Sequence, residues 1–196
     1  MQFIPQAQEY LNRLSAVISN FNLDTYDQMV KVLLDAYHRQ AQIFVMGNGG
    51  SGATASHLAC DINKGCCLNL DKKFKMICLN DNIPTMLAYA NDLSYEVVFA
   101  QQLKNFFKKG DVVIGISGSG NSQNVLNAIK YAAAHGGRTL GWCGFGGGKL
   151  AELVELALVV DSNDMQQVED GHMIVAHMLM QHLYKALNGN DITSAC

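Results

Sequence analysis

The sequence predicts an α/β fold in which helices flank a doubly wound, five-stranded parallel sheet. Three observations predict it: five short apolar segments follow one another, helical patterns lie between them, and glycine-rich loops follow two of them. Segments that are apolar on both faces are typical of parallel strands that helices cover on either side. Such sheets bind their ligands beyond the carboxyl ends of the strands. We therefore expect the functional residues just after the apolar segments.

The composition indicates a globular chain with a sizeable core. The chain has 196 residues, which suits one α/β domain, and 49% of them are hydrophobic and 16% charged. The net charge is -3 and no block of lysine and arginine occurs, which argues against a nucleic-acid partner. No apolar run reaches the ~18–20 residues that span a bilayer, and no secretory signal pattern is visible. We expect a cytoplasmic protein with no membrane partner.

The six cysteines are spaced without a C-x-x-C pair, and Cys66 and Cys67 are adjacent. This spacing argues against a disulfide framework and against a thiolate zinc site. We expect reduced thiols, several of which act as small buried hydrophobic residues.

Two amphipathic helices are predicted over residues 5–39, because apolar residues recur there at helical spacing. Asp24 or Thr25 is a suitable N-cap for the second helix. A doubly wound sheet is already covered by its own crossover helices, so the apolar stripes of these two helices need another partner. A second subunit is the simplest one, and we expect a homotetramer.

The α/β pattern begins after these helices. The apolar segments that predict strands are residues 43–46, 76–79, 112–116, 139–143 and 156–160. The predicted helices among them are residues 52–64, 94–108, 122–135 and 165–188. No linker or repeat divides the chain. We therefore expect one domain over residues 1–196, with a helical extension over 1–40 and an α/β core over 41–190.

The first glycine-rich loop, residues 47–52, reads Gly-Asn-Gly-Gly-Ser-Gly between a predicted strand and a helix. It matches G-x-G-x-x-G, which is weak evidence for a dinucleotide site on its own. That site also requires an acidic residue about 20 residues on, at the end of the next strand, whereas the next strand here ends roughly 30 residues on. The spacing argues against a nucleotide cofactor.

The second loop, residues 117–122, reads Ser-Gly-Ser-Gly-Asn-Ser and also lies between a strand and a helix. It lacks the Gly-Lys-Ser/Thr of a Walker loop. Serine hydroxyls and the N–H groups of a helix N-terminus can together hold one phosphate monoester. The alternative is that Ser122 only caps its helix. We favour phosphate, because a cap requires one hydroxyl and the loop has three.

A possible metal site is formed by residues of two predicted helices. His57 and Asp61 have i, i+4 spacing, which places them on one face, and Glu169 and His177 lie eight residues apart on the last helix. One histidine and one carboxylate from each helix would supply four N/O ligands, which suits zinc or a similar ion. The alternative is two ordinary histidine–carboxylate pairs, or solvated helix faces.

Three segments of the sequence resemble the sugar isomerase (SIS) domain family. They are GNGGSGATASHLACD at 47–61, GISGSGNSQNV at 115–125 and VEDGHMIVAH at 168–177. Within that family the chain looks most like the phosphoheptose isomerases, and the resemblance covers nearly its whole length. It implies an SIS-like fold and an aldose–ketose isomerase that converts sedoheptulose 7-phosphate to D-glycero-D-manno-heptose 7-phosphate by enediol-type proton transfer.

The resemblance also implies roles for individual residues. Those that bind the sugar-phosphate substrate would be Asn48, Gly49, Gly50, Ser51, Asp92, Ser117, Ser119 and Ser122. The catalytic residues would be Asp61, as the base, and His177. One zinc ion per site would be held by His57, Asp61, Glu169 and His177.

Three positions depart from the family pattern. This chain has Asp61 where the family has glutamate, and Glu169 where the family usually has glutamine. It has Gly118 where the family usually has threonine. The shorter base would slow proton transfer or indicate a different sugar phosphate, whereas the added negative charge favours a divalent ion. The family also includes a non-catalytic module that associates with the bacterial replication initiator. The carboxylates Asp61 and Glu169 argue against that alternative.

Overall fold

The five predicted strands form one parallel sheet in the computed structural model, which describes residues 2–189. The strands are β1 (Ile43–Gly47), β2 (Met76–Cys78), β3 (Val112–Ser117), β4 (Arg138–Cys143) and β5 (Leu156–Val159). Their order is β2-β1-β3-β4-β5, and all neighbours are parallel. The prediction of a doubly wound sheet is confirmed. The ends of the predicted domain, Met1 and residues 190–196 with Cys196, lie outside the described residues.

Helices surround this sheet. Within residues 2–189 they are α1 (Ile4–Ser19), α2 (Leu23–Arg39), α3 (Gly49–Cys60), α4 (Ile83–Asp92), α5 (Val98–Phe106), α6 (Gln123–Ala134), α7 (Gly148–Leu153) and α8 (Met165–Asn188). Two of them, α4 and α7, were not predicted. The N-cap of α2 is Asn22, whose side chain accepts from the N–H of Thr25 at 2.9 Å, so the prediction of Asp24 or Thr25 is wrong.

Two hydrophobic cores lie on opposite faces of the sheet. Successive residues of β1 alternate between them: Ile43 and Val45 pack into the core under α2, α3 and α8, while Phe44 and Met46 pack into the core under α5 and α6. All four side chains are fully buried. This burial on both faces explains why the strands are continuously apolar in sequence.

The free edge of strand β2 is hydrogen-bonded by the side chain of Asn63. Asn63 lies in a π-helical turn, Asp61–Gly65, that continues α3. Its Nδ2 donates to the carbonyl of Met76 at 2.8 Å, and its Oδ1 accepts from the N–H of Met76 at 3.1 Å. An exposed strand edge pairs readily with other chains, and Asn63 satisfies part of this one.

The sheet order places both glycine-rich loops at one crevice. The chain leaves β1 to form β2 on one side and later returns to form β3 on the other side. The loops that follow β1 and β3 are therefore neighbours at the carboxyl edge, at the switch point where α/β sheets bind ligands.

Two helices leave apolar residues uncovered. Neither α1 nor α4 contains a buried residue, although Ile4 and Leu11 on α1 and Ile83 and Leu87 on α4 are large and apolar. Helix α1 packs on α8 and α4 packs on α5, so the two apolar surfaces lie on opposite sides of the sheet. None of the described helices is long and apolar enough to span a bilayer.

Candidate active site

The serine loop begins where β3 ends. Ser117 is the last residue of β3, and Ser122 is the N-cap residue of α6. Their hydroxyl oxygens lie 3.0 Å apart. The side chain of Ser122 makes no capping bond to α6, so the alternative in which this serine only caps the helix is wrong. The N–H of Val125, which such a cap would take, instead donates to the Oδ1 of Asn124 at 3.0 Å.

A third loop, residues 144–148 after β4, and helix α7 that follows it hold the serine loop in place. The N–H of Gly144 donates to the carbonyl of Gly118 at 2.8 Å, and the N–H of Leu150 donates to the carbonyl of Gly120 at 2.9 Å. A Cβ at Gly120 would collide with the carbonyl of Gly147, and the φ of Gly120 is +66°. Glycine is therefore required at 120 by both space and backbone conformation.

The two predicted loops line one cleft of about 280 Å³. The residues that line it are Asn48, Gly49, Gly50, Ser51, Ser117, Gly118, Ser119, Ser122, Met165 and Glu169. These include every residue predicted to bind the substrate except Asp92. That residue is exposed at the end of α4, where its Oδ1 accepts from the Nδ2 of Asn91 at 2.8 Å. A larger open groove of about 710 Å³ lies beside β2 and includes neither loop.

Met165 explains the glycine at position 118. A Cβ at Gly118 would lie 2.5 Å from the Sδ of Met165, so the thioether occupies the space of the missing side chain. Met165 thus forms an apolar wall of the cleft next to the serine hydroxyls.

Glu169 enters the same cleft from α8. A Cβ at Gly50 would collide with its carboxylate, so this pair fixes the approach of α8 to the first turn of α3. No lysine, arginine or histidine is among the lining residues, and Glu169 is the formally charged one. An anion in this cleft would therefore be held by N–H and O–H groups rather than by a salt bridge.

Three of the four predicted metal ligands meet further along α3 and α8. The Nε2 of His57 lies 3.0 Å from the Nε2 of His177 and 3.2 Å from the Oδ2 of Asp61. One ligand atom from each of the three lies within 4.8 Å of the others. The side chains of His57 and Asp61 are 41% and 24% exposed, so the cluster is open to solvent. Glu169 is not part of it.

The donor set of this cluster fits a divalent ion. Two imidazoles and one carboxylate, with access from solvent, resemble the three protein ligands and open position of catalytic zinc sites. Asp61 is the first residue of the π-helical turn after α3, and such turns occur often at functional sites.

The cleft and the cluster lie on the same pair of helices. Gly50 faces Glu169, and His57 faces His177, so α3 and α8 run side by side in the same direction. His57 is seven residues beyond Gly50 and His177 eight beyond Glu169. At ~1.5 Å per residue the cluster is about 11 Å further along the helices than the end of the cleft.

Three polar residues that support the first loop were missed in the sequence. Asn80 holds the backbone of Gly47: its Oδ1 accepts from the N–H at 3.2 Å and its Nδ2 donates to the carbonyl at 2.7 Å. Tyr95 and Asn124 both bond the side chain of Asn48. The signal available for Asn124 was its place in the first turn of the helix after the serine loop.

The fold and the cleft together define a class of protein: a doubly wound α/β protein in which the loop after β3 carries serine hydroxyls and no lysine. A sequence profile described as the SIS domain matches residues 7–144. The chain belongs to the SIS domain family, in its phosphoheptose isomerase branch.

The relatives cover most of the chain. The phosphoheptose isomerase of Pelobacter propionicus is 38% identical over 166 residues, which cover 81% of this chain and 84% of that one. The enzyme of that name from Helicobacter pylori is 40% identical over 153 residues, 78% and 79% of the two chains. The solved structure of the phosphoheptose isomerase from Neisseria gonorrhoeae matches the fold with a TM-score of 0.85 at 23% identity, covering 93% of this chain and 98% of that one.

Proposed function

We propose that this chain is an aldose–ketose isomerase that converts sedoheptulose 7-phosphate to D-glycero-D-manno-heptose 7-phosphate. The observation that carries the proposal is the pairing of a hydroxyl-lined cleft with a His–Asp–His cluster, about 11 Å apart along two adjacent helices. An open-chain seven-carbon sugar phosphate has its phosphate and its carbonyl at opposite ends, so it requires two such sites. The names of the relatives support the same substrate.

The phosphate would bind in the cleft. Ser117, Ser119 and Ser122 offer three hydroxyls at the N-terminus of α6, where the first N–H groups have no partner within the helix. The partial positive charge of a helix N-terminus favours an anion there. Holding the phosphate fixes the far end of the sugar and brings its first two carbons towards the cluster.

The proton transfer would take place at the cluster. A base removes a proton from C1 of the ketose to give an enediol, and a proton is then returned to C2 while another moves between the two oxygens. Asp61 is the carboxylate available for the carbon-bound proton, and His177 is the imidazole that serves the oxygens. His57 contacts both groups and holds them at one place. The paired acid and base argue for an enzyme over a binding module.

His57, Asp61 and His177 would also hold a divalent ion, for which zinc is our proposal. Such an ion, when bound, polarises a carbonyl and stabilises developing negative charge. Glu169, the fourth ligand that the resemblance implies, would have to leave its place against Gly50 to join them.

The uncovered helices support a homotetramer. The exposed apolar residues of α1 and α4 lie on opposite sides of the sheet, and a tetramer of twofold-related subunits requires two separate interfaces of this kind. We also propose a cytoplasmic location, with which the free thiols of the described cysteines, Cys60, Cys66, Cys67, Cys78 and Cys143, are compatible.

The proposal is tested by proton NMR of sedoheptulose 7-phosphate incubated with the protein, with and without added zinc. We expect the anomeric signals of the aldose product to appear. The double variant Ser119→Ala, Ser122→Ala should weaken sugar-phosphate binding in calorimetry. Replacement of Ser94, a serine outside the cleft, by alanine is the matched control. A protein that yields no aldose under either condition would refute the activity, and unchanged binding by the double variant would refute the phosphate site.

A further inference from the structure

Asn48, Asn124 and Tyr95 form a hydrogen-bonded network between the two glycine-rich loops. The amides of the two asparagines make reciprocal bonds: Asn48 Nδ2 donates to Asn124 Oδ1 at 2.9 Å, and Asn124 Nδ2 donates to Asn48 Oδ1 at 2.8 Å. The hydroxyl of Tyr95 also donates to Asn48 Oδ1, at 2.8 Å. The network joins the loop after β1 to the first turn of α6.

The donor and the acceptor are fixed in each hydrogen bond of this network. The N–H of Val125 donates to Asn124 Oδ1, and because a backbone N–H cannot accept, it fixes which end of the Asn124 amide is the oxygen. Asn48 must then place its Nδ2 against that oxygen and its own Oδ1 against Asn124 Nδ2 and Tyr95. Both lone pairs of Asn48 Oδ1 are used, and one N–H of its Nδ2 is left for the cleft that it lines.

We propose that Asn124 and Tyr95 are positioning residues that make Asn48 offer an N–H donor, and never its oxygen, to the substrate. This inference rests on the proposed function. The donor suits an oxygen that carries no proton or that gains negative charge, such as a phosphate oxygen or an enediolate oxygen. A donor that is oriented in advance needs no reorganisation during the reaction and stabilises such an oxygen well.

Asn124 has a second effect on the same cleft. It is 3% exposed, and a buried amide requires partners for its polar atoms. One of those partners is the N–H of Val125, which an N-cap serine would otherwise bond. Because Asn124 takes this N–H, the hydroxyl of Ser122 stays beside Ser117 in the cleft.

The test compares kcat and KM for the isomerisation in Tyr95→Phe, Asn124→Ala and a control, Asn127→Ala. Asn127 also joins α6 to the short 3₁₀ helix Tyr95–Val97, since its Nδ2 donates to the carbonyl of Glu96 at 2.9 Å. It is not among the residues that line the cleft. We expect Tyr95→Phe to lower kcat/KM about three- to tenfold, the typical effect of one lost hydrogen bond, with an unchanged melting temperature. The control should stay within about twofold of wild type.

A double-mutant cycle separates positioning from a structural role. If Tyr95 acts through Asn48, Tyr95→Phe has no further effect on kcat/KM in the Asn48→Ala background. Additive losses in the cycle, or a Tyr95→Phe variant that behaves like the control, would overturn the proposal. Tyr95 is exposed, so this variant keeps the test decisive even where Asn124→Ala unfolds. A wild-type protein without isomerase activity would overturn the proposed function instead, and the same cycle is then measured on phosphate affinity by calorimetry.

Discussion

Acidification should destabilise the protein through one buried histidine, His172. Its side chain is fully buried on α8, its ring centroid lies 6.2 Å from that of Trp142, and neither ring nitrogen has a well-formed hydrogen bond. Burial lowers the pKa of His172 from 6.5 to about 4, and the backbone of Cys143 offsets only part of this effect. The folded protein therefore holds this imidazole neutral where the unfolded chain protonates it.

The size of the effect follows from the two pKa values. Between pH 6.5 and about 4 the unfolded state binds more protons than the folded state at this residue, so stability falls as the pH falls. Above pH 6.5 His172 is neutral in both states and costs no stability. As the pH falls to about 4, protonation of the unfolded chain lowers the free energy of unfolding. A difference of about 2.5 pKa units corresponds to about 3 kcal/mol of unfolding free energy at ~1.4 kcal/mol per unit. That is a large part of the ~5–15 kcal/mol that stabilises a typical domain.

The assay is urea unfolding of wild type and of His172→Leu at a series of pH values and one fixed protein concentration. The difference between the two proteins removes the contributions of carboxylates that both share. Wild type should lose about 3 kcal/mol more than the variant between pH 7 and pH 4. His172→Gln is a second variant that does not titrate and should match His172→Leu in pH dependence. Parallel pH profiles for wild type and both variants would refute the argument.

Replacing Asp61 by asparagine should lower the isomerisation rate ~10²–10⁴-fold, because the amide cannot accept the proton, while sugar-phosphate affinity in calorimetry is kept; near-full turnover would exclude Asp61 as the base. His57→Ala should lose activity that excess zinc partly restores, whereas Asp61→Asn should not recover, because Asp61 is also the base. Equal recovery of the two variants with zinc would contradict a role for Asp61 beyond metal binding. Gly50→Ala should cost about 1–3 kcal/mol through the collision with Glu169 and should be tolerated in a Glu169→Ala background; denaturant unfolding of the four proteins measures this, and additive costs would contradict it. Light scattering at micromolar concentration should give the mass of a tetramer, and the mass of a monomer would contradict the proposal.

The sequence alone determined the elements that carry a local pattern. The central strands β1, β3 and β4 were predictable because both of their faces are almost entirely buried, which leaves short continuous apolar runs. The edge strands β2 and β5 are only partly buried but are equally apolar in sequence. Helix α4 was missed because it is short and none of its residues is fully buried: Met86, Tyr89 and Ala90 contact the core but stay partly exposed. Asn82 and Pro84 nevertheless mark its start. Helix α7 was missed because it has six residues, of which Leu150 alone is buried.

The serine cleft was also largely predictable, because a strand, a glycine-rich turn and a helix N-terminus are contiguous in sequence. Only the tertiary structure determined which hydrogen-bond partners those residues have. Ser122 has the residue type and position of a helix cap, but Asn124 takes the N–H that the cap would bond. Asn124 in turn orients the amide of Asn48, which lies 76 residues away in sequence.

Only the packing of α3 against α8 decided which of the predicted ligands meet. His57 and His177 are 120 residues apart in sequence, and their contact depends on how the two helices align. The same alignment places Glu169 against Gly50 and away from the cluster. Helical spacing determines which face of one helix a side chain occupies, but it contains no information about the register between two helices. That register is set by side chains from distant parts of the chain as they pack in the folded core.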